Sequence, residues 1–177
     1  MNKIIFTFSL IFLSLNLQAK TNDHLDTVPY VNLKDYLGTW YEIARFRTHS
    51  FQKGCLQTKA EYSLKGHFIH VKNTCVKEDG KVNVAKALAT VKDKQTNAKL
   101  KVSFVPILNL FGLFAGDYWI LEVNEDEYSL VGTPDRKYLW ILSRSKELDE
   151  KIYQNLVARA KELGFDTSLI DRTKTWE

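Results

Sequence analysis

The sequence predicts an all-β chain with one helix: an eight-stranded antiparallel up-and-down β-barrel with a C-terminal α-helix packed outside it. Three observations carry the prediction. From Gly38 to Arg144, apolar and polar residues alternate with period two in short runs, the pattern of half-buried strands. The runs are joined mainly by short turn-rich links, namely KG, KEDG, KDKQTN, NEDE and PDRK, which suits neighbouring strands that pair antiparallel. After Arg144 the apolar period changes to that of a helix.

Taken in order, the predicted strands are 39–46 (TWYEIARF), 56–64 (LQTKAEYSL), 67–75 (HFIHVKNTC), 82–91 (VNVAKALATV), 98–104 (AKLKVSF), 117–123 (DYWILEV), 128–133 (YSLVGT) and 138–144 (YLWILSR). The helix is expected over about 146–163. Ser145 is its candidate N-cap, Leu148, Ile152, Leu156, Ala160 and Leu163 form its apolar stripe, and Gly164 is its stop. Such a helix would cover outward apolar residues such as Ile43, Leu139 and Ile141. One connection is unlike the others. VPILNLFGLFAGD (105–117) is apolar, too short to span a bilayer as a helix of about 20 residues, and interrupted by Pro106 and Gly112.

The first nineteen residues stand apart. Lys3, the apolar run IIFTFSLIFLSL and then NLQA ahead of Lys20 have the form of a secretory signal peptide, with removal expected after Ala19. The uncharged run from Ile4 to Ala19, 16 residues, is short for a membrane anchor. Residues 20–177 are then expected to form one domain. No cysteine follows the apolar run, so a lipid anchor is not expected; periplasmic export is, with outer-membrane association or secretion as alternatives. The chain as a whole, at 45% hydrophobic and 26% charged, suits a single globular core. A net charge of +4 without a basic run or basic helix does not make a nucleic-acid footprint.

Export changes the reading of Cys55 and Cys75, the chain's two cysteines. A hairpin turning at Lys65-Gly66 sets them nearly opposite, and an oxidising compartment permits a disulfide. Closing a loop of that size stabilises by roughly 3 kcal/mol in the chain-entropy model.

In a closed barrel alternate residues face inward. The first and last strands are neighbours, so Trp40 falls near Arg144, and a guanidinium over an indole is a favourable pair. Pointing both inward seals one end and predicts Glu42, Ala44, Phe46, Tyr138 and Trp140 inside. The other inward sets are Ala60 and Tyr62; Ile69 and Val71; Ala85, Ala87 and Ala89; Leu100, Val102 and Phe104; and Tyr118 and Ile120. Three alanines on one strand facing large aromatics predict a hollow, because a solid core would use bulkier residues there.

GTWYEIARF (38–46), followed downstream by GTPDRKYLWILSR (132–144), resembles the lipocalin family, its bacterial outer-membrane (Blc-like) branch above all and apolipoprotein D more distantly. The family's Gly-x-Trp motif falls on Gly38 and Trp40 and its last-strand arginine on Arg144; the middle Thr-Asp-Tyr motif is met only by Asp126 and Tyr128. The resemblance runs from about Asn32 to Phe165. It implies binding, storage or transport of a small hydrophobic ligand, such as a fatty acid or lysophospholipid, with no cofactor or metal. The candidate ligand-binding residues are Glu42, Phe46, Tyr62, Val71, Asn73, Ala87, Val102, Phe104, Tyr118, Tyr138 and Trp140, with Glu42 and Asn73 as polar anchors. Gly38, Trp40 and Arg144 form the structural closed end. The 105–115 loop then lies at the open mouth, where Leu108, Leu110, Phe111 and Phe114 form a lid or lip or fold back as a plug.

Two other readings compete. A protein acting at the membrane surface or in envelope maintenance would use that loop, through peripheral membrane contact, rather than the cavity. An enzyme on this fold would need reactive groups that the chain does not group together: His24 and His49 precede the barrel or lie in its first loop, and His67 and His70 fall on opposite faces of one strand. There is no H-E-x-x-H, G-x-S-x-G or phosphate loop. Oligomeric state is left open.

Overall fold

The computed structural model describes residues 24–48, 52–66, 68–104 and 115–176. The alternating runs form eight strands: β1 (Gly38–Phe46), β2 (Cys55–Lys65), β3 (Phe68–Lys77), β4 (Val82–Val91), β5 (Lys99–Ser103), β6 (Ala115–Asn124), β7 (Tyr128–Gly132) and β8 (Leu139–Ser143). Each pairs antiparallel with the next, and β1 pairs with both β8 and β2, so the sheet closes on itself. Closure gives every barrel strand a neighbour on each side, while Val82–Ala87 of β4 pair with β3 alone among the described residues.

Three elements were not foreseen. Helix α1 (Leu33–Tyr36), capped by Asn32, lies at the closed end; Val31 just ahead of it donates its N–H to Thr96 O in the β4–β5 turn. A 3₁₀ turn (Thr167–Leu169) leads into a short strand β9 (Ile170–Arg172), which pairs with Ala44–Phe46 of β1. All are too short to show a period.

Helix α2 spans Glu150–Glu162 and starts later than the sequence predicts. Asp149, not Ser145, is the N-cap, because its carboxylate accepts from both Lys151 N–H and Ile152 N–H. Gly164, at φ +84°, closes the helix, with Phe165 N–H donating back to Ala160 O. Tyr153, Leu156, Ala160 and Leu163 pack on the outer wall with Leu121, Leu130, Leu139 and Ile141.

The predicted parity of β1 fails halfway along. The β1–β8 register slips between Glu42 and Ala44. Such a bulge places one extra residue on a strand and reverses which face the following residues take. Ala44, opposite Ile141, and Phe46 therefore lie in the outer, helix-side cluster; Phe46 is 1% exposed and meets Phe165 edge-on at 6.1 Å. Phe46 is not a cavity wall. Arg45, opposite Trp140, reaches the inward-facing Glu42 carboxylate instead.

A disulfide joins Cys55 to Cys75, fastening the start of β2 to β3 with a Cα–Cα distance of 5.4 Å.

Candidate ligand cavity

The closed end comes first, because it fixes where a cavity can be. Gly38 has φ +94°, a left-handed conformation suited to glycine. Trp40 is fully buried and donates its indole N–H to Tyr36 O at 2.9 Å. The Arg144 guanidinium lies 3.8 Å above the Trp40 ring. It donates to Glu125 O at 2.7 Å, to Thr39 O at 3.0 Å and to Asp35 O, tying α1, β1 and the β6–β7 turn together. Val31, Ile69, Ala89, Leu100, Ile120, Val131 and Leu142 fill the interior around these groups.

Above this plug is a cavity of about 890 Å³, within the range of ligand pockets of about 300–1,000 Å³. Its β2–β3–β4 wall can be read from the strand register. The row nearest the mouth pairs Cys55 with Lys77. The next sets Thr58 beside Cys75 and Cys75 beside Asn83; below it Ala60, Asn73 and Ala85 align; below that come Tyr62, Val71 and Ala87. Directly opposed residues have Cβ atoms about 4.5–5.5 Å apart, so each row is a continuous strip. The wall grades from polar at the mouth to apolar within. Opposite it stand Val102, Phe104, Tyr118, Tyr138 and Trp140, with the last two rings stacked at 6.1 Å.

The floor of the cavity is a chain of hydroxyls. Tyr62 Oη–H donates to Tyr118 Oη at 3.1 Å, and Tyr36 Oη is 2.8 Å from Tyr118 Oη and 3.1 Å from Ser129 Oγ. Burial pushes all three phenols up, Tyr36 to about 12, which keeps them protonated. Beneath Tyr62, Val102 and Tyr118 lies only a small apolar void of about 20 Å³.

Charge in the lining is mostly neutralised. Glu42 pairs with Arg45, Lys59 with Glu61 at 3.6 Å, Asp117 with Lys101 at 2.9 Å and Asp135 with Lys137 at 3.4 Å. Lys53 and Lys77 also line the cavity, and neither is in a salt bridge among the described residues. Thr58 lies on the same wall, its Oγ buried and without a hydrogen-bond partner among the described residues.

The expected site residues are thus brought together unevenly. Glu42, Tyr62, Val71, Asn73, Val102, Phe104, Tyr118, Tyr138 and Trp140 line the cavity. Phe46 is outside it, and Ala87 lies in the buried inner cluster, with Ala85 lining the cavity instead. Glu42 is committed to the protein: besides Arg45 it accepts from Gln52 Nε2 at 2.6 Å and Thr173 Oγ at 2.8 Å. Leu108, Leu110, Phe111 and Phe114 lie outside the described residues. The sequence reading missed Gln52, Lys53, Thr58 and Asn83. Asn83 was legible from the parity that picked Ala85; Gln52 and Lys53 sit in a loop with no period to read. Among the described residues, no cluster of three or more His, Cys, Asp or Glu could hold a metal ion.

The profile of the lipocalin-like domain matches residues 31–175. Temperature-induced lipocalin-1 of Arabidopsis thaliana is 38% identical over 154 residues, 84% of this chain and 82% of the plant protein. Outer membrane lipoprotein Blc of Escherichia coli K12 is 40% identical over 138 residues, 76% of this chain and 74% of that protein. Among solved structures, insecticyanin of Manduca sexta has a TM-score of 0.70 at 22% identity, covering 86% of this chain and 85% of its own, a likeness of fold. A domain match over most of the chain, and two relatives this similar along most of their length, mean that the protein belongs to the lipocalin family, whose barrels bind and carry small hydrophobic molecules.

Proposed function

We propose that this protein binds and carries a single-chain acidic amphiphile, a fatty acid or lysophospholipid, as a binding protein rather than an enzyme. The observation that carries the reading is the graded β2–β3–β4 wall. Its inner row, Tyr62–Val71, and the alanines Ala60 and Ala85 of the row above suit an acyl chain; Asn73 between those alanines, and Lys77, Thr58 and Asn83 nearer the mouth, suit a head group. The sign of that head group follows from the lining charges: every acid is paired, while Lys53 and Lys77 are in no salt bridge among the described residues. The chain is exported by this reading, with residues 1–19 as signal peptide and the periplasm as destination; the formed disulfide and the outer-membrane location named for the Blc relative support it.

The test is displacement of 11-(dansylamino)undecanoic acid by oleic acid and by oleyl alcohol, on wild type and the Lys53→Glu/Lys77→Glu variant. One-to-one binding is expected. The double reversal should weaken oleic acid at least tenfold, about 1.4 kcal/mol, with the neutral alcohol changed less than about twofold. Equal loss for both ligands would refute the head-group assignment, and no binding of any of the three would refute the cavity reading. The surface reading draws on Val82, Val84 and Phe104, which are 58%, 50% and 46% exposed near the mouth. It predicts vesicle association by protein whose cavity binds none of these ligands.

A further inference from the structure

β1 changes partner along its length. From Gly38 to Tyr41 it pairs with β2, and the ladder ends where Tyr41 faces Lys59. From Ala44 to Phe46 it pairs instead with β9. Beyond Tyr41 the two barrel strands part, and the fork between them is occupied by residues 173–176. Thr173 N–H donates to Ile43 O and Lys174 N–H to Leu56 O, each at 2.9 Å, so the segment bonds to one strand and then the other. Gln57 Nε2 donates to Thr175 O at 2.6 Å, and Trp176 meets Tyr41 edge-on at 5.7 Å.

The inner side of this segment reaches the cavity lining. Thr173 Oγ–H donates to Glu42 Oε1, Glu42 Oε2 accepts from Gln52, and Gln52 Oε1 accepts from the Trp140 indole at 3.0 Å. The segment thus covers cavity-lining Glu42 together with Arg45, which spans the same fork by donating to Cys55 O at 2.8 Å. It is lightly held. The β2–β3 seam alone runs from Cys55 to Lys65, whereas residues 173 and 174 contribute one backbone bond to each flanking strand. The Trp176 indole N–H is buried with no acceptor among the described residues, which works against the closed arrangement. Segments with few backbone bonds open locally without global unfolding.

We infer that residues 173–176 are a latch over a side port between β1 and β2, with Glu42 as its catch, and that ligand exchange is limited by release of this latch. The exchange part rests on the cavity taking an amphiphile as proposed above; the latch itself does not. Opening breaks the Thr173–Ile43, Lys174–Leu56, Thr173–Glu42 and Gln57–Thr175 bonds and leaves the β1–β2 ladder below Tyr41 intact. The buried Glu42 keeps Arg45 and Gln52 when Thr173 leaves, so the catch is not stranded.

Two measurements separate the parts. Native-state amide exchange of the unliganded protein should show Thr173 and Lys174 exchanging together, at least tenfold faster than the β2–β3 ladder amides. Thr173→Val, which keeps shape and loses only the hydroxyl, should speed both tail amides further. Tail amides protected as strongly as the ladder would overturn the latch whatever the ligand does. Stopped-flow exchange of 11-(dansylamino)undecanoic acid then tests the route. Truncation after Arg172 should raise association and release rates together by about tenfold, leaving affinity within about threefold. Unchanged rates would overturn the port. Faster release with unchanged association would also overturn it, since the segment would then be only a piece of wall. Circular dichroism and the urea midpoint confirm that each variant is folded, and failure of wild type to bind the probe counts against the amphiphile reading, not the latch.

Discussion

Alkaline pH should unfold this protein through its cavity floor. Tyr36, Tyr62 and Tyr118 all have phenol pKa values raised by burial, Tyr36 from 10.0 to about 12. The sign follows from linkage. A raised folded-state pKa means that above pH 10 the native protein still holds protons the unfolded chain has lost. Stability is thus fully present below about pH 10 and falls as pH rises toward the folded value. One pKa unit corresponds to about 1.4 kcal/mol, so Tyr36 alone accounts for about 2 kcal/mol lost between pH 10 and 12. Tyr62 and Tyr118 act in the same direction. The assay is a series of urea unfolding curves from pH 7 to 11, with tyrosinate absorbance of the native protein followed in parallel. Below pH 9.5 these phenols should leave the midpoint nearly unchanged; above 10 it should drop steeply, and Tyr36→Phe should have a slope shallower by about 1 kcal/mol per pH unit between pH 10 and 11. Equal slopes for wild type and Tyr36→Phe between pH 10 and 11 would refute the argument, as would every tyrosine of the native protein ionising near pH 10.

Other substitutions separate packing from binding. Phe46→Ala should cost about 3–5 kcal/mol in urea unfolding and leave fluorescent-probe affinity unchanged, because Phe46 packs on Phe165 outside the cavity. Gly132→Ala should destabilise by about 1–3 kcal/mol, since a Cβ there would stand 2.6 Å from Phe165 Cζ and 3.0 Å from Leu121 Cδ1; differential scanning calorimetry reads the loss. Replacing both Cys55 and Cys75 by alanine should lower stability by about 3 kcal/mol and weaken probe binding, as the bridge fastens the mouth end of β2 and lines the cavity.

The order of strands, the turns between them, the helix stripe and the disulfide were legible because each is local or nearly so. Alternation of period two reports which residues a strand buries, and the terminal strands of a closed meander must meet. Trp40 and Arg144 could be paired on that ground alone. The start of α2 was misplaced because Ser145 and Asp149 are both good caps by composition; the choice rests on which side chain meets free helix amides.

What the sequence determined, then, is a barrel with a sealed end and an inward row of small residues, because pattern and spacing are properties of the chain itself. What only the tertiary structure decided is where that pattern breaks and what fills the break. The slip between Glu42 and Ala44 turns Phe46 outward and Arg45 toward Glu42, and the sequence carries no glycine or proline there to mark the bulge. The contacts from residues 173–176 to Ile43, Leu56 and Glu42 join positions far apart in the chain. No periodicity reports such contacts, since they depend on two strands diverging in space.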